Sequence, residues 1–166
     1  MSKKTRKHYL EYILARGVAK LVQSLSADTA VRAGRILGSF VYHIIPLRRD
    51  VALNNLQQSF PRRSQRELRG ILNRTYQHFG QTFIEFMRTP IRSKEEMRER
   101  VVMKNPEILK AALSNNKGAI LMTGHFGNWE IMGAAIATLY TPLAVLAKAQ
   151  RNAAVDKLIN EYRSAA

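Results

Sequence analysis

The hydrophobic pattern of this chain changes near residue 100, and that change restricts the fold more than any other feature. Before it, apolar residues recur at helical spacing. After it, two continuous apolar runs, AILMT at 119–123 and PLAVLA at 142–147, have the length of buried strands, and each precedes a helical pattern. The order strand, helix, strand, helix indicates parallel pairing through a right-handed crossover. We therefore predict an α/β fold, with residues 1–100 mainly helical and residues 101–166 forming a βαβα unit of an incomplete, largely parallel sheet.

The first hundred residues contain helical segments with recognisable boundaries. An amphipathic, basic helix is predicted over 10–25 and a second helix over 28–45. In the second helix Gly34 and Gly38 lie four residues apart, which favours close packing against another helix. The sequence SQRE at 64–67 is a capping box and predicts the start of a long helix.

The chain is strongly basic, with 27 Lys and Arg against 12 Asp and Glu and a formal net charge of +15. Such an excess predicts an anionic partner. The helix over 10–25 fits a membrane interface, with its apolar stripe among acyl chains and its cations on lipid phosphates, but it equally fits a surface helix that covers a core. No apolar run reaches the roughly 20 residues that span a bilayer, and no secretion signal is visible.

The chain contains no cysteine, which limits the catalytic groups and metal ligands that it can use. Disulfides, thiolate nucleophiles and cysteine-based metal sites are excluded, so any catalysis uses other groups. We expect no metal and no cofactor. A basic nucleic-acid-binding protein is the alternative from another class, but no aromatic and basic binding module is present, and we expect no nucleic-acid partner.

The sequence TGHFGNWE, residues 123–130, places polar and ionisable side chains at the end of the first predicted strand. In parallel α/β units, ligands bind beyond the carboxyl ends of strands. His125 lies there, and Glu130 follows in the first turn of the next predicted helix, so a tight turn can fold the carboxylate back to the imidazole. The pair can then act as a dyad that activates a hydroxyl. The alternatives to a dyad are structural roles: His125 as a hydrogen-bonded loop residue, Glu130 as a favourable charge at the positive end of a helix, and Trp129 as a core residue.

Four stretches resemble the bacterial lipid A biosynthesis acyltransferases, the lauroyl and myristoyl transferases of the wider glycerolipid acyltransferase superfamily. They are RRDVALNNLQQSFP, GQTFIEFMR, KGAILMTGHFGNWEIMG and AKAQRNAAVDKLINEYR. The third contains the H-x4-D/E box of that superfamily. The resemblance implies a glycerolipid acyltransferase-like fold in which residues 1–166 are the N-terminal part of one acyltransferase domain, with 1–100 membrane-proximal and 101–166 carrying the HFGNWE box. It further implies that the chain is a fragment, which by itself can be inactive.

The resemblance also implies roles for individual residues. His125 is the general base and Glu130 its partner. The implied substrate-binding residues are Asn128, Trp129, Lys148, Arg151, Asn152 and Arg163, the last of these contacting phosphate groups. Solvated surface charges at Lys148 and Arg151, and a helix N-cap at Asn152, are the structural alternatives. Glu85 falls on a family-like position too, although pairing with Arg88 or another cation explains it equally well.

The reaction implied by the resemblance moves a fatty acyl group from acyl carrier protein to a hydroxyl of a lipid A precursor, an anionic glycolipid. The implied place is the cytoplasmic face of the bacterial inner membrane, and the interrupted N-terminal helix favours peripheral or monotopic attachment to the membrane surface. The alternative enzyme is a related acyltransferase that uses acyl-CoA and acts on another glycolipid or a phospholipid.

Overall fold

The computed structural model describes residues 3–45, 47–114 and 117–165, and the regular elements in these ranges are helices. In chain order they are α1 (Lys3–Ser24), α2 (Ala27–Ile44), α3 (Arg49–Ser59), α4 (Gln65–Met87), a short 3-10 helix (Thr89–Ile91), α5 (Lys94–Arg100), α6 (Pro106–Leu113), α7 (Trp129–Leu139) and α8 (Ala153–Ser164). No helix in these ranges has the length and apolar character needed to cross a membrane.

The helix starts follow the local signals in the sequence. At the start of α4, the Ser64 hydroxyl accepts a hydrogen bond from the Glu67 amide at 3.3 Å, and the Glu67 carboxylate accepts one from the Ser64 amide at 2.8 Å. This reciprocal pair satisfies two amides that the helix leaves without partners, and it confirms the predicted capping box. Asn128 and Asn152 cap α7 and α8 through their side-chain oxygens.

Helices α2 and α4 cross at glycines. A Cβ atom on Gly38 would lie 2.1 Å from the carbonyl oxygen of Tyr76, and one on Gly80 would lie 2.1 Å from the carbonyl oxygen of Gly34. Both distances are far below van der Waals contact, so the two backbones approach this closely only because no side chain separates them. The close packing predicted from Gly34 and Gly38 is confirmed.

The end of α1 is held to the end of α4 by a buried arginine. Arg88, which is 7% exposed, donates from Nη1 to the carbonyl oxygens of Val22, at 2.9 Å, and Leu25. Gln23 donates in return to the carbonyl oxygen of Met87 at 2.8 Å. The last carbonyls of a helix have no intrahelical partner and carry partial negative charge, so a buried cation there is stabilising.

Two apolar clusters complete the packing. One joins α1, α2 and α4 through Ala19, Val22, Ala30, Ile84 and Met87. The other joins α5 to α7 through Met97, Ile131, Ala134 and Ala135. Contacts of α4 with α7, and of Phe86 with Tyr162, place α7 and α8 beside the C-terminal half of α4, and α8 also contacts α1.

The α/β class predicted from the sequence is wrong for the described residues, in which there is no strand and therefore no βαβα unit. The runs 119–123 and 142–147 are irregular, and apolar side chains in them face solvent: Ile120 is 93% exposed, Met122 94% and Leu146 104%. A strand requires a neighbouring backbone to complete its ladder and a packed layer to cover its side chains. An apolar run shows that a segment favours burial, but it does not supply either partner.

The glycine crossing predicts that glycine-to-alanine substitutions at two different positions change the stability in opposite directions. Replacing Gly38 with Ala forces α2 and α4 apart and should lower the free energy of unfolding by about 1–3 kcal/mol. Gly17→Ala is the matched control, because nothing lies within 4 Å of its added Cβ, and the better helix former should raise stability by up to about 1 kcal/mol. Urea unfolding followed by circular dichroism measures both, and equal midpoints would contradict the crossing.

Candidate active site

The HFGNWE box lies beside the middle of α4, where aromatic rings order it. The imidazole of His125 contacts the indole of Trp129 edge to face, with ring centroids 4.7 Å apart, and Trp129 contacts Phe79 of α4 at 5.9 Å. Between them Gly127 adopts a φ of +54°, a left-handed conformation that favours glycine and turns the chain into α7. His125 thus lies on the surface immediately ahead of a helix N-terminus.

Asn128 connects the box to α4. Its Oδ1 accepts from the Ile131 amide at 3.1 Å as the cap of α7, and its Nδ2 donates to Glu85 Oε2 at 2.6 Å. Glu85 also pairs with Arg92, with 3.7 Å between Oε1 and Nη2. Burial lowers the pKa of the Arg92 guanidinium from its ordinary value, and the Glu85 carboxylate opposes this. Glu85 therefore pairs with Arg92, not with Arg88, and orients the start of α7.

Glu130 is held by the last turn of α8. Arg163 donates from Nη2 to Oε1 at 2.7 Å and from Nε to Oε2 at 3.1 Å, a two-point contact of planar groups. The Trp129 indole N–H donates to Oε1 at 3.3 Å. The hydrogen bond to Glu130 raises the pKa of Arg163 above its ordinary value, so the guanidinium stays charged. This contact places Glu130 and Trp129 by fixing α7 against α8.

His125 and Glu130 do not bond to each other in this arrangement. Within the part of the chain that the structure describes, no hydrogen bond or ion pair joins them, and the imidazole nitrogens have no protein partner. The side chain of His125 is exposed, whereas that of Glu130 is only 17% exposed. The imidazole is therefore accessible to solvent, and the carboxylate is engaged by Arg163.

A cleft of about 310 Å³ opens at His125. His125, Gly127 and Trp129 form one wall, and side chains of α4 between Ile71 and Thr82 form the other. The α4 wall was not predicted from the sequence. Its only signal is helical spacing, since the lining residues recur every three or four positions and share one face of α4.

Comparison with known proteins identifies the family. Residues 1–166 match the family model described as bacterial lipid A biosynthesis acyltransferase. The chain belongs to this family. It is 27% identical over 127 residues to "Lipid A biosynthesis acyltransferase 2" of Shigella flexneri, which covers 76% of this chain and 40% of that protein. The chain thus spans less than half the length of this curated relative. No solved structure matches the chain.

The family resemblance also implies substrate-binding roles for Lys148, Arg151 and Asn152. None of these three residues lines the cleft at His125. Lys148 and Arg151 are exposed and line a second cleft of about 530 Å³ beside α1. Asn152 is buried: Oδ1 accepts from the Ala154 amide at 3.1 Å, and Nδ2 donates to the His8 carbonyl at 2.8 Å. Asn152 therefore acts as an N-cap and ties α8 to α1. In the described ranges no group of three His, Asp or Glu residues could hold a metal ion.

The Arg163 contact predicts unequal effects for two charge removals on α8. Arg163→Met leaves a largely buried carboxylate unpaired and should lower the free energy of unfolding of this acyltransferase-family chain by roughly 1–2 kcal/mol. Lys157→Met is the matched control: its side chain is 80% exposed and 4.0 Å from Glu161, so the loss should stay below about 0.5 kcal/mol. Denaturant midpoints decide, and equal losses would show that the Arg163 contact contributes no more than a surface pair.

Proposed function

We propose that the protein transfers a fatty acyl chain to a hydroxyl of a lipid A precursor, with His125 as the general base. The observation that carries the proposal is the exposed imidazole of His125 at a cleft walled by Trp129, Phe79 and Ile71. Apolar walls suit an acyl chain, and an imidazole without a protein partner can accept a proton from a hydroxyl. Membership of the lipid A biosynthesis acyltransferase family supports this assignment.

The proposed reaction is a direct acyl transfer. The imidazole of His125 takes the proton of the acceptor hydroxyl as the oxygen attacks the thioester carbonyl and forms a tetrahedral oxyanion. As this intermediate collapses, the C–S bond breaks, and the leaving thiolate takes the proton back from the imidazolium. The amides of Trp129 and Glu130 begin α7, where amides have no intrahelical acceptor, and can donate to the oxyanion.

In this proposal Glu130 is the partner of His125. Each carboxylate oxygen can accept more than one hydrogen bond, so Glu130 can keep its contact with Arg163 and also accept from an imidazole nitrogen. The second contact requires the loop 123–127 to close towards α7. Such closure on substrate binding would fix the imidazole tautomer only when the acceptor is present.

The proposed donor is acyl carrier protein and the proposed acceptor an anionic glycolipid, with the membrane surface as a third partner. All three are acidic, and the net charge of +15 favours association with each. Parallel assays with acyl carrier protein and CoA thioesters, each offered to glycolipid and phospholipid acceptors, identify the substrates. Failure with every lipid acceptor would contradict acyl transfer.

Attachment to the cytoplasmic face of the inner membrane is proposed through α1. Leu10, Leu14 and Leu21 recur along one side of this helix and are 60–67% exposed, while Arg6 and Lys20 are exposed beside them. An apolar stripe flanked by cations suits a helix lying in the interface of an anionic membrane.

His125→Ala tests the general base. Removing the imidazole should lower kcat by about 10²–10⁴-fold, because the hydroxyl loses its proton acceptor, while KM changes little. His43→Ala is the matched control, since His43 is exposed at the end of α2 and contacts Tyr42. Steady-state kinetics on the complete protein measure both, and near-normal turnover of His125→Ala would refute its role.

Leu14→Glu tests the membrane contact of α1. A charge in the apolar stripe should reduce retention on anionic phosphatidylglycerol vesicles by about three- to tenfold. Ala112→Glu introduces the same charge on the exposed face of α6 and serves as the control. Equal retention of the two variants, measured by sedimentation, would argue against docking through α1, and stronger retention on DNA at matched salt would favour a nucleic-acid partner.

A further inference from the structure

On the α4 wall, two side chains with nitrogen donors lie at the rim of the His125 cleft. Arg74 and His78 are exposed, lie four residues apart and line the cleft opposite His125. Residues at this spacing are neighbours on one helix face, so the two side chains can contact the same ligand. Among the residues that the structure describes, no carboxylate lines the cleft and none forms an ion pair with Arg74. The rim therefore presents positive charge without an internal counter-ion.

The rest of the cleft is less polar than this rim. Ile71 and Phe79 lie on the same face of α4, and Thr82, only 4% exposed, forms the buried end. The hydroxyl oxygen of Thr82 has no hydrogen-bond partner among the described residues. A cationic rim above a largely apolar cleft is complementary to an amphiphile with an anionic group at one end.

The cations implied by the resemblance do not provide an anion site beside His125. Arg163 is already bound by Glu130 at two points, and Lys148 and Arg151 line the other cleft, beside α1. Arg74 is thus a guanidinium that lines the His125 cleft and has no carboxylate partner in the described residues. A guanidinium matches the oxygens of a phosphate at two points, and an imidazole adds a further donor.

We propose that Arg74 and His78 form a phosphate-binding subsite of the His125 cleft, which anchors a phosphoester of the substrate while its reacting group lies at His125. This inference rests on the proposed acyl transfer. The phosphoester belongs either to the glycolipid acceptor or to the phosphopantetheine arm of the donor. In both cases the subsite positions a substrate and takes no part in bond making.

Arg74→Gln tests the subsite by separating KM from kcat. Loss of a two-point, charge-assisted contact should raise KM for the phosphate-bearing substrate by about 10–100-fold and leave kcat within about threefold. Arg74→Lys should lie between, because it keeps the charge and loses the planar geometry. Arg69→Gln is the matched control, an exposed arginine on the same helix that does not line the cleft.

Two substrate comparisons identify the source of the phosphate. If the acceptor supplies it, the KM effect disappears with a dephosphorylated glycolipid; if the donor supplies it, the effect disappears with an acyl pantetheine that lacks phosphate. A KM unchanged in Arg74→Gln for both natural substrates overturns the proposal. Circular dichroism identifies a misfolded variant, in which case Arg74→Lys carries the test.

A binding measurement separates this proposal from the proposed reaction. Dodecyl phosphate should bind wild-type protein at least about tenfold more tightly than Arg74→Gln, whereas dodecanol should bind both equally. If the complete wild-type protein shows no turnover while this binding difference persists, acyl transfer is refuted and the subsite is retained. Equal binding of dodecyl phosphate to the two proteins refutes the subsite even when turnover is normal.

Discussion

The close crossing of α2 and α4 is the contact on which the rest of the structure depends. Glycines on both helices let backbone meet backbone, so α4 is fixed along its middle. Its C-terminal end then holds α1 through Arg88 and the start of α7 through Glu85. One face of the same helix lines the cleft at His125. A shift of α4 would therefore disturb the first helix, the HFGNWE box and the cleft together.

In the HFGNWE box, polar contacts position the start of α7 without involving the imidazole of His125. Asn128 bonds to Glu85, and Glu130 bonds to Arg163, so α4 and α8 both restrain the start of α7. A contact of this kind adds modestly to the stability of the fold. Removing one partner lowers that stability by much more, because the remaining charge is left poorly solvated. The imidazole of His125 stays outside this network and, among the described residues, has no hydrogen-bond partner, which is consistent with the proposed role of a proton acceptor for a substrate.

Prediction succeeded where the physical cause is local. The capping box at Ser64 depends on a few residues near in sequence, and the structure confirms it. The spacing of Gly34 and Gly38 within α2 likewise predicted close packing, which the structure confirms, but it did not predict that α4 is the partner. The family resemblance succeeded too, because it rests on short stretches that occur together. Prediction failed for the runs 119–123 and 142–147, since strand formation depends on a partner that an apolar run cannot specify.

The sequence by itself therefore determined the helical character of the first hundred residues, the capping box of α4, the basic charge and the family. Only the tertiary structure decided which charged groups meet. Glu85 bonds to Asn128, 43 residues away, and Glu130 bonds to Arg163, 33 residues away, while His125 and Arg74 come to line one cleft. Helix capping acts over a few residues and can be read from them. The pairing of distant side chains depends on how whole helices pack, and this packing sets which groups come within hydrogen-bond distance.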